Sequence, residues 1–385
     1  MATKRIEYLD SLKAIAIFLV VFCHFVLLSP TVFANLCMCA CWMAVPVFFM
    51  VNGALLFAKP LHVEKHLKKT VSVYLVLVIW KLVYLLAVPR FAGVEPAEIS
   101  VGEVVEYLFL FGELPGIING HLWFIEALLA VYLVFPLFRI AFAWEIGETK
   151  KREAKEEDGV KRNPAGICPH RLTWFLAFAA LFGTNGLYSL EVAGSMLRRA
   201  GIPFPFSFDA VAAFWPFGKY GNMLGFFLLG ALLAGRKKPY GGTVLLQRLA
   251  GLTMLVSSLF ALWGVKWFLS GQAAWDGILL QEGYRHVPVV FMAVGLFLLL
   301  KNTRIRVRWL SLTVRALASR TLGIFYLHWL FGWMLVTPFA GWLASCGIPF
   351  GVGTNILKNL ILMLPAFFAT LLLEKIPVVK RLVTG

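Results

Sequence analysis

Apolar runs of a length that crosses hydrocarbon recur along the whole chain, separated by short polar or charged segments. About 20 helical residues span a bilayer core, so these runs read as transmembrane helices. They predict ten spans, centred on residues 12–28, 36–57, 71–88, 120–141, 172–190, 217–235, 249–270, 287–300, 321–340 and 356–373. The eighth is short, and the sixth carries Lys219 and Asn222 near one end. The N-terminus resembles a signal peptide, but no small-residue cleavage site follows and a second span begins within a few residues. The expectation is an all-α integral membrane protein of about ten transmembrane helices, one domain over residues 1–385.

Composition agrees: 60% of the residues are hydrophobic and the mean hydropathy is +0.80, outside the range of ordinary soluble domains. A net charge of +16 could signal nucleic-acid binding in a soluble chain, but its distribution argues otherwise here. With alternate loops on opposite sides, 28 of the 36 Lys and Arg fall on the side of the N-terminus. Arg90, Arg198, Arg199, Lys219 and Arg285 lie opposite, while Lys81, Lys266 and Lys358 fall deeper in spans or at an outer edge. This asymmetry is the positive-inside signature and places both termini in the cytoplasm, with the lipid bilayer rather than nucleic acid as partner. The longest hydrophilic segment, residues 143–171, becomes a charged cytoplasmic loop, a solvated linker or a short exposed helix. Residues 191–216, rich in Pro and Phe, read as a re-entrant or interfacial segment. No internal repeat is visible, which counts against a secondary transporter.

Candidate chemistry lies in the ionisable residues of the spans, where charge is costly and faces a bundle interior or polar cavity. Lys13 and His24 are separated by AIAIFLVVFC. On a continuous helix, eleven residues bring His24 to within roughly 20° of Lys13 and roughly 16 Å along the same face. His24, in the outer half of that span, can act as a base at neutral pH; alternatively it bonds a neighbouring helix. Lys13 either serves that polar stripe or snorkels to headgroups and pairs with Asp10. His121 and Trp123 fall at the outer interface, while Glu126 lies inside an apolar run and needs a partner or a wet cavity. His328 lies about two turns into the ninth span. Glu282, Arg285 and His286 cluster outside the eighth span, as an outer acceptor site or as plain surface. Arg304, Arg306, Arg308 and Arg315 form a basic patch between the eighth and ninth spans. The six cysteines have no metal-ligand spacing and read as packing residues.

Five strings carry a resemblance. Tyr8-LDSLKAIAIFLVVFCH-Phe25 resembles the opening of membrane-bound acyltransferase family 3, with an Asp, a basic residue, ten residues and a histidine. Val45-PVFFMVNGALL-Phe57 is similar to that family's second span; His121-LWF, Phe226-FLLGALLAG and Gly323-IFYLHWL resemble further landmarks in the right order. This sequence departs in having Lys13 where arginine is commoner, and Ser11 and Ala14 where glycines are commoner. Lysine lacks the bidentate fork of arginine.

The resemblance implies an enzyme, an O-acyltransferase in the plasma membrane. Its donor would be a cytoplasmic acyl-CoA such as acetyl-CoA, and its acceptor a hydroxyl on a surface glycan or lipid-linked precursor. It implies no tightly bound cofactor and no metal. On this reading Lys13, with Arg304 and Arg308 as a second candidate patch, holds the CoA phosphates. The stripe from Lys13 to His24 matches an extended pantetheine arm; His24 is general base, and Lys13 and Asp10 complete the catalytic set. His121, Trp123, Glu126, Arg285, His286 and His328 are the candidates for substrate contacts. The alternatives are a flippase or transporter for a glycan or lipid precursor, and a membrane sensor signalling through residues 143–171.

Overall fold

The most deeply buried helices of this protein are not its long ones. A computed structural model describes residues 6–92, 99–112, 114, 120–157, 171–208, 211, 220–235, 239–240, 242–270 and 283–384. The described residues form α1 (Glu7–Phe22), α2 (Val32–Cys41), α3 (Ala44–Phe57), α4 (Val63–Ala92), α5 (Val101–Phe109), α6 (Trp123–Glu157), α7 (Arg171–Leu181) and α8 (Leu187–Arg199). They continue as α9 (Gly221–Gly235), α10 (Val244–Ser270), α11 (Val287–Leu300), α12 (Arg308–Ser319), α13 (Thr321–Ser345), α14 (Val352–Leu373) and α15 (Pro377–Thr384), with no strand among them.

Seven segments are long and apolar enough to cross a membrane: Val32–Phe57, Val63–Phe91, Trp123–Ile140, Arg171–Arg199, Val244–Phe268, Thr321–Ser345 and Val352–Leu373. The first, sixth and eighth expected spans are α1, α9 and α11, of 16, 15 and 14 residues. Helices of that length reach roughly 21–24 Å, short of a hydrocarbon core of about 30 Å. Short helices suit the interior: α9 buries 13 of its 15 residues and α3 buries 11 of 14. The outer helices instead expose Leu86, Leu137, Phe175, Phe260 and Phe368, the apolar surface that a multi-pass membrane protein offers to lipid.

Local chemistry explains several departures from the expected spans. The span expected over residues 36–57 is broken at Trp42–Met43, because Pro46 has no N–H to return to the Trp42 carbonyl. A π-turn over Phe182–Gly186, with a glycine on either side of Thr184-Asn185, joins α7 to α8. It aims the Asn185 amide at the carbonyls of Tyr284 (2.8 Å) and His286 (3.3 Å). Residues 191–199, expected to be interfacial, continue α8, and residues 201–208 follow it; Lys219 lies outside the described residues. The charged loop is helical as far as Glu157, as the end of α6, while residues 158–170 lie outside the described set. Helix α12, which the span pattern does not foresee, exposes Trp309, Leu310 and Leu312.

The tightest crossing pairs α3 with α9. A Cβ on Gly53 would lie 1.8 Å from the Phe227 carbonyl oxygen, and one on Gly230 would lie 1.9 Å from that of Met50. Backbones this close leave no room for a methyl group. Gly230→Ala is expected to cost about 1–3 kcal/mol through overpacking, read as a lowered thermal midpoint in detergent. An unchanged midpoint would show that the crossing is looser than described.

Candidate functional site

Three of the five landmark strings each deliver one histidine to a single point. Helix α1 stops at Phe22, with Cys23 as its C-cap, so His24 is not on the helix and does not share a face with Lys13 as continuous helical spacing predicts. Phe25 takes φ 50°, the left-handed region that bulky residues rarely occupy. Its ring packs edge-on against Trp329 (5.1 Å) and Trp333 (5.4 Å). Only a glycine fits opposite, since a Cβ on Gly332 would lie 2.1 Å from that ring. The reversal turns His24 toward α13, where its Nδ1 lies 3.0 Å from Nε2 of His328.

The hydrogen-bond network assigns the tautomers. His328 Nδ1 lies 3.0 Å from the carbonyl oxygen of Ile324, one turn back on α13, and a carbonyl only accepts. His328 therefore carries its proton on Nδ1 and offers a lone pair on Nε2. His24 Nδ1–H donates to that lone pair, with the two ring planes 18° from parallel. The chain of bonds leaves Nε2 of His24 unprotonated, the state a general base requires.

His121 completes the group. It is 3% exposed, so it is not the interfacial residue that its place in the sequence predicts. Its ring stacks on Trp329 (4.6 Å, 13°) and meets His328 at 5.5 Å and Tyr84 at 5.1 Å. Neither of its nitrogens has a hydrogen-bond partner among the described residues. A buried imidazole left so is costly, and such groups are commonly reserved for a ligand.

Two cavities flank this cluster. The larger, about 570 Å³, is bordered by Asp10, Lys13, Asn52, Lys59, Lys69 and Tyr132. Ile6 and Thr384 also border it, so both ends of the described chain lie at one end of the bundle. The smaller, about 20 Å³, is bordered by Cys23, His24, Cys41, His121, Trp123 and Tyr284, room for about one water-sized group. Phe124 and Phe325 border both cavities, and their rings lie 5.2 Å apart. They form an aromatic partition between a lysine-lined mouth and the histidines.

The other expected site residues fall into place around these two spaces or away from them. Trp123 packs on Tyr284 at 5.3 Å, beside the small cavity. Glu126 turns away from the histidines to a 2.8 Å ion pair with Lys81, whose Nζ also donates to the Tyr107 carbonyl at 2.9 Å. His286 is buried against Tyr188 and Arg285 lies over the Tyr188 ring; neither borders either cavity. Arg304 and Arg308 do not border the large cavity, which α12 reaches only through Ala318 and Ser319 at its other end. The basic groups there are Lys13, Lys59 and Lys69. Lys59, Lys69, Tyr284, Phe124 and Phe325 do not stand out in the sequence; aromatics inside apolar runs look like packing, and the two lysines look like loop charges.

No curated protein and no solved structure matches the chain. A family model described as an acyltransferase domain matches residues 6–375. That match spans the three histidines, both cavities and the crossing glycines alike, and on it the chain belongs to acyltransferase family 3 and is a membrane acyltransferase.

Proposed function

We propose that the protein sits in the plasma membrane with both termini cytoplasmic. There it transfers an acyl group, acetyl by preference, from acyl-CoA to a hydroxyl of a cell-surface glycan or its lipid-linked precursor. The observation that carries this reading is the bond chain from the Ile324 carbonyl through His328 to His24, which leaves a lone pair on His24 Nε2 beside a cavity. The 570 Å³ mouth with Lys13, Lys59 and Lys69 supports a polyanionic donor. The phosphates would rest among the lysines, and the thioester arm would pass the Phe124–Phe325 partition.

At the histidines, the acceptor oxygen attacks the thioester carbonyl carbon while His24 Nε2 takes its proton. The carbon–sulfur bond then breaks, and the protonated His24 returns that proton to the departing thiolate. As His24 gains charge, its Nδ1–H bond to His328 strengthens, just when stabilisation is needed. His121 supports the other side of the reaction, because its ring N–H has no acceptor among the described residues and suits the developing oxyanion.

The test supplies radiolabelled acetyl-CoA to membranes holding the wild-type protein, with protein-free membranes as control, and follows label into glycolipid and polysaccharide fractions. Protein-dependent label supports the reading and names the acceptor. Transport of a lipid-linked sugar with no thioester consumed would replace it with the flippase reading.

A further inference from the structure

A helix of this length, with no glycine or proline from Glu7 to Ser29, has no local reason to stop at Phe22. The reason lies on α14. Lys358, 0% exposed, sends its ammonium to three carbonyl oxygens at the end of α1: Val21 (3.0 Å), Phe22 (3.2 Å) and His24 (2.8 Å). An ammonium has three N–H donors, and here three carbonyls meet them. Its charge also faces the negative end of the α1 dipole. The Phe22 ring lies 5.8 Å from the same ammonium.

Neighbouring residues on the same face of α14 extend the contact. Asn355 Nδ2 donates to the Phe22 carbonyl at 3.0 Å, while its Oδ1 accepts from the Leu27 amide at 2.9 Å. Asn359 Nδ2 donates to the Phe18 carbonyl at 3.0 Å. Asn355 thus holds both sides of the reversal, before and after the left-handed Phe25. Three buried polar residues at i, i+3 and i+4 make one clamp.

We infer that Lys358 and Asn355 are positioning residues for the acyl-transfer reaction: they end α1 at Phe22 and hold the unwound segment 23–28 so that His24 meets His328. This rests on the acyl-transfer reading, and it concerns the backbone of His24 rather than any contact of Lys358 with substrate.

The test compares wild type with Lys358→Met and Asn355→Ala in detergent, using amide hydrogen exchange and steady-state kinetics with acetyl-CoA. Lys358→Met is expected to speed exchange about tenfold or more over residues 23–28, leaving α3 and α9 protected. It should lower kcat about tenfold or more with KM for acetyl-CoA nearly unchanged. Asn355→Ala should speed exchange at Leu27 in particular. Where Lys358→Met does not yield folded protein, Asn355→Ala, which removes two bonds, decides by the same readouts. Unchanged exchange over 23–28, or faster exchange along the whole chain alike, would overturn the clamp. A wild-type protein that transfers no acyl group removes the reaction but not the exchange result, so the two failures separate.

Discussion

Alanine at His24 lowers kcat for acyl transfer about 10²–10⁴-fold, the usual contribution of a positioned general base, with little change in KM for the thioester. The lysine-lined mouth proposed for the donor lies beyond the aromatic partition and does not include His24, so on that reading ground-state binding has no reason to weaken. Alanine at His328 costs less, about 10–100-fold, because it removes an orienting partner and leaves the base itself in place. Its deletion frees the His24 ring to rotate and to take either tautomer. Steady-state rates on matched membranes, wild type against each variant, check the order as well as the size. If His328→Ala cost more than His24→Ala, the direction assigned to the bond chain would be wrong. Equal rates in wild type and His24→Ala would remove this histidine from the chemistry.

The second large effect falls on stability. Lys81 is 2% exposed and its partner Glu126 15%. Lys81→Met leaves that carboxylate with its ion-pair partner gone and a long 3.5 Å contact from the Tyr220 hydroxyl, and also removes the lysine donor to the Tyr107 carbonyl. Breaking one side of such a buried pair costs about 3 kcal/mol or more. The companion variant Lys81→Met/Glu126→Leu should recover much of that loss, since two well-packed apolar residues replace a buried pair at little cost. Thermal unfolding in detergent reads both. A double variant as unstable as the single one would mean that packing around α5, not the charge, sets the penalty.

Much of the architecture was legible because the length of an apolar span is set by the bilayer, and it shows in any window of the chain. The site was legible in part. The strings holding His24, His121 and His328 drew attention on their own, and so did the run that carries Gly53. What local pattern could not show was their convergence. Treating residues 12–28 as one helix put His24 above Lys13; nothing near Phe22 contradicts that, because the helix stop is supplied by residues more than 330 positions away. Glu126 was rightly read as needing a partner, and Lys81 gave no sign of being that partner beyond its own depth. His121 looked interfacial because it opens a span, yet the neighbouring helices close over it. Arg304 and Arg308 drew attention by clustering, whereas the lysines at the mouth come from α1, the segment after α3 and α4, and meet only in the folded chain.

The tilted pair Phe124 and Phe325 carries a consequence for the cell's energy supply. A protein that opened a continuous wet path between its mouth and its buried histidines would conduct protons, and three imidazoles in a row would make a good wire. Two aromatic rings in that path act as insulation. On the proposed route the rings part for a slender carbon chain and close around it, which would keep the ion gradient intact through each turnover. Trimming both to alanine should therefore be felt first as a current across the membrane.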